Sequence, residues 1–334
     1  MTVRLLYGGA FALFLSVLSA PSVALVLSAA APSVALVRSA PAPSVALVRS
    51  AAAPSAAPFL SAAQANERIV YLSAWDQKTR APITGLGVDA FSVREDGALR
   101  EVLRVAPATS PMAIAILVDN TQAAREHIAD IRKALNSFVK ALSGVGPIAI
   151  VGLADRPTIL RDYTTDQKQL LDGVNKVFAM PDSGATLLDA IVETSRGLQK
   201  REEDRAALVI LTTENIEFSN RHYNDVLEAL TRGGAALHAV VLTTPAGSSL
   251  SEEARNRAFV LDRGPKESGG TRTDVLTSQA FEGKLLELAA ILKSQHRVVY
   301  ARPQTLIPPQ KIEVTSTKAG VEASGGQARG QAAR

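Results

Sequence analysis

Asp119, Asn120 and Thr121 stand directly behind the apolar run Met112 to Val118, so that a carboxylate, an amide and a hydroxyl gather at the end of one strand-like run in this 334-residue chain. A carboxylate, an amide and a hydroxyl in the turn before a helix can accept hydrogen bonds from the free N–H groups of its first turn. Gln122, three residues after Asp119, gives the spacing of a capping box. Two later stretches have the same character: Ser183 to Ala190 (SGATLLDA) and Thr212 to Asn215 (TTEN). No catalytic constellation accompanies these residues. The histidines are scattered as His127, His222, His238 and His296, without an i, i+4 partner or the glutamate of a metal or hydrolase motif. No G-x-S-x-G elbow, phosphate loop or G-x-G-x-x-G turn follows a strand. Cysteine is absent, which excludes disulfides, thiolate catalysis and Cys-ligated zinc.

The three stretches can act together only if the fold brings them to one place. Four continuous apolar runs, Met112 to Val118, Ile148 to Leu153, Ala206 to Leu211 and Ala235 to Leu242, have the length and two-sided hydrophobicity of buried parallel strands. Amphipathic stripes lie between and after them. Ile128, Ile131, Leu135, Phe138 and Leu142 mark a helix from about Gln122 to Leu142, and further stripes centre on Leu170, Leu188, Leu227 and Leu288. The alternation predicts an α/β fold: a Rossmann-like, mostly parallel central sheet with helices on both faces. In such sheets ligands bind outside the carboxyl ends of the strands, where the three stretches would lie as rim loops. Ser248 to Thr273 is polar and weakly patterned, and reads as a long loop at the rim.

A small antiparallel β unit precedes the sheet. Arg68 to Trp75 and Phe91 to Arg94 read as strands, and Glu95-Asp96-Gly97 as a hairpin turn into a strand from Arg100 to Val105. The organisation expected is therefore a presequence over 1–65, a β-hairpin lead-in over 66–107, the α/β domain over 108–301, a turn and closing strand over 302–322, and a frayed tail over 323–334.

The presequence has its own signature. Arg4 and the apolar stretch Leu5 to Ala20 have the layout of a secretory signal, followed by an 11-residue repeat with prolines at Pro21, Pro32, Pro43 and Pro54 that prevents a continuous helix. Ala63-Gln64-Ala65 forms an A-x-A processing site. Export, to the periplasm or beyond, is the expectation, with membrane contact only through an uncleaved signal-like segment. The first 65 residues hold Arg4, Arg38 and Arg49 but no acidic residue, so without them 36 basic residues become 33 against 32 acidic and the formal charge falls from +4 to +1. Such a balance gives no reason to expect a nucleic-acid partner.

Several segments together resemble a von Willebrand factor type A domain of the kind found in bacterial secreted proteins. ITGL and DAFSVREDG resemble its lead-in hairpin, ILVDNTQAA its first strand, LRDYTTD its middle segment, and GATLLDAI and LVILTTEN its later loops. The resemblance implies a protein-interaction module. It also implies a metal-ion-dependent adhesion site built from Asp-x-Ser-x-Ser on the first loop, a Thr on the second and an Asp on the third, where hard oxygen ligands hold a magnesium-like ion. Here Asp119 and Thr121 match, but Ala123 takes the last Ser position, Ala185 the Thr position with Thr186 displaced by one, and Thr213 the Asp position. A methyl cannot ligate, and one carboxylate in place of two weakens the attraction that offsets dehydrating a divalent ion. Asp119, Thr121, Thr186 and Thr213 are thus the ligand set of a degenerate site, with Mg2+ or Mn2+ as its occupant if it holds one. The reading carried forward is a non-enzymatic, metal-free module, with no cofactor, whose rim residues Asn120, Gln122, Ser183, Glu214 and Asn215 meet an unidentified protein. The alternatives are a metal-dependent adhesion domain with a remodelled site, or a hydrolase on a Rossmann-like sheet.

Overall fold

The computed structural model describes residues 67–214, 216–243, 251–302, 309 and 311–327. The signal-like stretch, the repeat and Asn215 lie outside them. In chain order the strands and α-helices are β1 (Glu67–Asp76), β2 (Phe91–Glu95), β3 (Ala98–Arg100), β4 (Val102–Pro107), β5 (Met112–Val118), α1 (Ile128–Ala141), β6 (Ile148–Gly152), β7 (Thr158–Thr164), α2 (Gln167–Asn175), α3 (Leu187–Gln199), β8 (Arg205–Thr213), α4 (Tyr223–Gly233), β9 (Ala236–Leu242), α5 (Glu252–Ser268), β10 (Arg272–Val275), α6 (Ala280–Lys293), β11 (His296–Ala301), β12 (Ile312–Ser316) and β13 (Val321–Gln327).

The central sheet has the order β10-β9-β8-β5-β6-β7, parallel throughout except for the edge strand β7. All seven residues of β5 are buried, because helices cover both faces and neither side of the pleat can be polar. Its residues divide with a period of two. Met112, Ile114, Ile116 and Val118 pack with α1, α2 and α6, while Ala113, Ala115 and Leu117 pack with α3, α4 and α5. From β5 the chain first builds outward to β6 and then returns to place β8 on its other side. The carboxyl end of β5 is therefore a topological switch point, where loops diverge and leave room for a site.

One expectation fails here. Ser248 to Thr273 is not a long loop: it contains α5, a 17-residue helix. Its start is signalled by Ser251, whose Oγ accepts from the Ala254 N–H at 3.1 Å, and by Glu252 and Glu253 in the first turn. Its end is Gly269 in the left-handed conformation, φ +79°. The helix escapes a hydrophobic-periodicity reading because its buried face consists of Asn256, Arg257, Val260, Leu261, Gly264 and Pro265, only two of which are large and apolar. Gly264 is there for clearance, since a Cβ would come within 2.6 Å of Leu237 Cδ2.

The antiparallel unit is larger than a lead-in hairpin. Asp96 and Gly97 adopt φ of 47° and 82°, the backbone a tight hairpin requires. The strand expected from Arg100 to Val105 is instead two, β3 and β4, which enter different sheets: β13-β1-β11-β4 and β12-β2-β3. Residues 67–107 are thus completed by strands from the far end of the chain: a boundary at 301/302 cuts through one cluster of Val70, Leu72, Phe91, Val93, Val298, Tyr300 and Val314, and one at 322/323 separates Val321 from Ala323, both packed against it. Residues 323–327, expected to fray, pair with β1 from Val70 to Ala74. Their glycines carry no hydrophobic pattern but allow close approach, since a Cβ on Gly325 would lie 2.7 Å from the Tyr71 carbonyl oxygen. Inside this unit Glu95 is buried and held by Tyr300 Oη at 2.7 Å, Arg100 Nε at 3.0 Å and Arg302 Nε at 3.2 Å.

Candidate functional site

The three rim loops do converge. Asp119 follows β5 and is wholly buried, with its carboxylate enclosed by donors from two loops. Oδ1 accepts from the Thr121 N–H at 3.0 Å and the Thr121 hydroxyl at 2.7 Å. Oδ2 accepts from the Thr213 N–H at 2.9 Å, the Thr213 hydroxyl at 2.7 Å and the Thr212 hydroxyl at 3.3 Å. Asp119 is therefore not the helix cap its spacing suggests. Its first bond closes a local turn two residues on, and its second oxygen crosses to the end of β8. The segment after it is a 3-10 turn, Gln122–His127, before α1 begins; Thr121 occupies the cap position without a side-chain cap bond.

Asn120 is placed inward rather than on the surface. Its Oδ1 accepts from the N–H groups of Leu153 and Ala154 at 2.8 and 3.0 Å, and its backbone oxygen from Met180 N–H at 2.9 Å. Gly152 makes room for it, because a Cβ there would stand 2.9 Å from that Oδ1. Gln122 is exposed, and its N–H donates to Ser183 Oγ at 3.2 Å, which itself donates to the Met180 carbonyl at 2.7 Å. Thr186 is buried at the start of α3, but its hydroxyl donates to the Leu153 carbonyl at 2.9 Å. Glu214 is half-buried, its N–H bonded to the Leu242 carbonyl at 3.1 Å. Ala123 is exposed and Ala185 buried, so the two methyls stand at the rim and inside it. Asp119, Thr121 and Thr213 are thus joined by hydrogen bonds, while Thr186 is engaged with Leu153, the residue just after β6.

Two buried charged groups at the site were invisible to sequence reading. Arg257 reaches in from α5: its Nη2 donates to the Thr212 hydroxyl at 2.8 Å and to the Thr213 carbonyl at 2.5 Å. Its Nε lies 3.8 Å from Glu217 Oε2, and both side chains are buried. Burial pushes the Glu217 carboxyl above its ordinary value, and the Arg257 guanidinium pulls it back down. The other Glu217 oxygen accepts from the N–H groups of Ser219 and Leu188 at 3.3 and 3.4 Å, tying the third loop to the start of α3. Only the capping signal at Ser251 could have announced Arg257, by announcing its helix; Glu217 has no sequence signal.

Around these buried groups the loops expose apolar side chains. Phe178, Met180, Ile216 and Phe218 are 45–64% exposed, and Phe218 lies over Gly184, where a Cβ would meet its ring at 2.5 Å. Arg132 stacks on the Phe178 ring with 4.1 Å from guanidinium carbon to centroid. The Ile216 carbonyl accepts from Ala185 N–H at 2.9 Å, and Phe218 N–H donates to the Ala185 carbonyl at 2.7 Å, so these residues sit on loops stitched to one another.

Residues 114–215 match the family model described as the von Willebrand factor type A domain. No curated protein matches the chain. Among solved structures, a von Willebrand factor type A protein from Catenulispora acidiphila is similar at 9% identity and a TM-score of 0.43, over 78% of this chain and 72% of that one. The conserved hypothetical protein BatB from Bacteroides thetaiotaomicron is similar at 13% identity and 0.43, over 55% and 100%. The von Willebrand factor domain of the type V pili tip protein Mfa5 from Porphyromonas gingivalis is similar at 9% and 0.40, over 54% and 96%. These likenesses are distant, and the assignment rests on the family model together with the sheet order and loops described above. The stretch from Ile114 in β5 to the third rim loop, residues 114–215, is thus similar to the von Willebrand factor type A domain.

Proposed function

We propose that this chain is an exported, non-enzymatic protein-interaction module that meets its partner at the carboxyl end of the central sheet and does so without a divalent cation. The von Willebrand factor type A domain is a protein-interaction fold of adhesion type. The observation that carries the reading is the exposed apolar set Phe178, Met180, Ile216 and Phe218 on the rim loops. Exposed apolar groups concentrated in one place, with aromatic members, mark interaction surfaces on soluble domains.

The donor set speaks against a cation. Both Asp119 oxygens are already engaged by five hydrogen bonds from threonine hydroxyls and backbone N–H groups. Methyls stand at Ala123 and Ala185, and a guanidinium lies one hydroxyl away from the carboxylate. Octahedral coordination by hard oxygens tolerates none of these well. Among the described residues no three His, Cys, Asp or Glu side chains converge as ligands. Export is supported by the sequence from Arg4 to Ala20 and by the A-x-A site at Ala63 to Ala65. Among the described residues no helix is long and apolar enough to cross a membrane.

The test is capture of partners from an exported fraction by the tagged wild type and by a Phe178→Ser, Phe218→Ser double variant, each with and without chelator. Capture by the wild type should survive chelation and be lost in the double variant, with the melting temperature unchanged. Capture that survives both substitutions, or that the chelator abolishes, would sink the reading.

A further inference from the structure

The disagreement between the family's metal site and this one has a specific structural cause. The pole of the sheet still concentrates negative charge, with Asp119 at 0% exposure and Glu217 at 3%. Two carboxylates this deep need a counter-charge, because an uncompensated buried ion costs several kcal/mol. Arg257 is the cation that meets both. It ion-pairs with Glu217 at 3.8 Å and reaches Asp119 through the Thr212 hydroxyl, which accepts from Nη2 at 2.8 Å and whose one proton has Asp119 Oδ2 at 3.3 Å and the Thr213 carbonyl at 3.2 Å as its acceptors. A second Nη2 bond, to the Thr213 carbonyl, fixes the guanidinium against the residue that stands where the family's third-loop Asp would be.

We infer that Arg257 is an internal replacement for the divalent cation, a guanidinium delivered by α5 that neutralises the Asp119 and Glu217 pole and locks the third loop. The residue changes then form one set. Thr213 in place of a carboxylate lowers the negative charge to what one guanidinium can balance, and its hydroxyl supplies Asp119 with the hydrogen bond that a metal-bound ligand would otherwise replace. A guanidinium suits the role because it stays charged when buried and presents several donors in a plane. It also cannot exchange with solvent, so the rim is held in one arrangement whatever the ion concentration. Arg257 touches no partner in this scheme; it is a positioning residue for the rim loops.

This deepens the metal-free reading of the same site, and its test needs no partner, so a failed capture experiment and a failure here are separate results. The purified chain is titrated calorimetrically with MnCl2. Unfolding is then measured for wild type, Arg257→Met, Asp119→Asn and the double variant. The wild type should give no one-site heat at millimolar Mn2+, and the double variant should be less destabilised than the sum of the singles. The expected coupling is roughly tenfold in the unfolding equilibrium constant, as for residues that share a hydrogen-bond network. One-site Mn2+ binding that Asp119→Asn removes would overturn the inference, as would additive single effects. If Arg257→Met does not fold, Arg257→Lys and Arg257→Gln carry the test. Lys, which keeps the charge, should melt above Gln, and equal melting of the two would overturn the inference.

Discussion

Glu95 and Asp119 are both buried carboxylates, at opposite kinds of site, and they are held in opposite ways. Glu95, in the antiparallel unit, meets two guanidiniums and a phenol directly, at 2.7–3.2 Å. Asp119, at the pole of the parallel sheet, is addressed by threonine hydroxyls and backbone N–H groups, and Arg257 reaches it by way of the Thr212 hydroxyl. Glu95 is a structural knot that joins β2 to β11 and to the segment just beyond it. Asp119 instead keeps an oxygen-rich environment of the kind that could surround an ion, closed by threonines. The comparison teaches that a buried carboxylate is not by itself a sign of chemistry: what its partners are decides whether it can turn outward to a ligand.

The largest effect should come from the directly paired site. Glu95→Gln leaves Arg302 buried without its carboxylate and should cost about 3–5 kcal/mol, read as a fall in urea midpoint at constant slope. Tyr300, whose phenol is pushed well above its usual value by burial and by donating to Glu95, should titrate earlier in that variant. A loss no larger than that of Asp119→Asn would erase the distinction between the two sites.

His238 is the control for a buried group with no opposite charge beside it: burial first and the Arg80 charge second both disfavour its protonated form. It lies in β9, one nitrogen beside Thr271 Oγ1 at 3.0 Å, and burial depresses its value from 6.5 to about 4. The folded state therefore resists protonation that the unfolded chain accepts. The associated stability is present above pH 6.5 and is lost as pH falls from there to about 4, amounting to roughly 3 kcal/mol. Stability curves at pH 7 and pH 4 should show that loss, and His238→Gln should flatten it.

Asp119→Asn keeps the shape but removes the charge that five donors address, and about 2 kcal/mol should be lost in chemical denaturation. The smallest effect is at the support of the first loop. Gly152→Ala drives a Cβ to 2.9 Å from Asn120 Oδ1 and should cost about 1–2 kcal/mol. Hydrogen exchange at Leu153 and Ala154, the N–H groups Asn120 holds, should quicken in that variant while the Glu95 region stays protected.

The sequence by itself determined the sheet and its loops. Strands β5, β6, β8 and β9 are legible because burial on both faces demands unbroken apolar runs, and α1 because its stripe repeats at helical spacing. The Asp96-Gly97 turn is legible because few residues adopt positive φ. That rim loops converge is legible from the α/β pattern, but that Asp119 meets Thr213 in particular depends on β8 pairing with β5 in the folded sheet. What only the tertiary structure decided lies where pattern and environment part company. The helix α5 hides because its buried face is polar and small, and β13 because its glycines pack by backbone rather than by side chain. Arg257 is 138 positions beyond Asp119 by its number, yet one hydroxyl from it in space. Local pattern reports which faces need covering; it does not report which distant charge will balance a buried carboxylate, because that pairing exists only after the helix carrying the charge has docked.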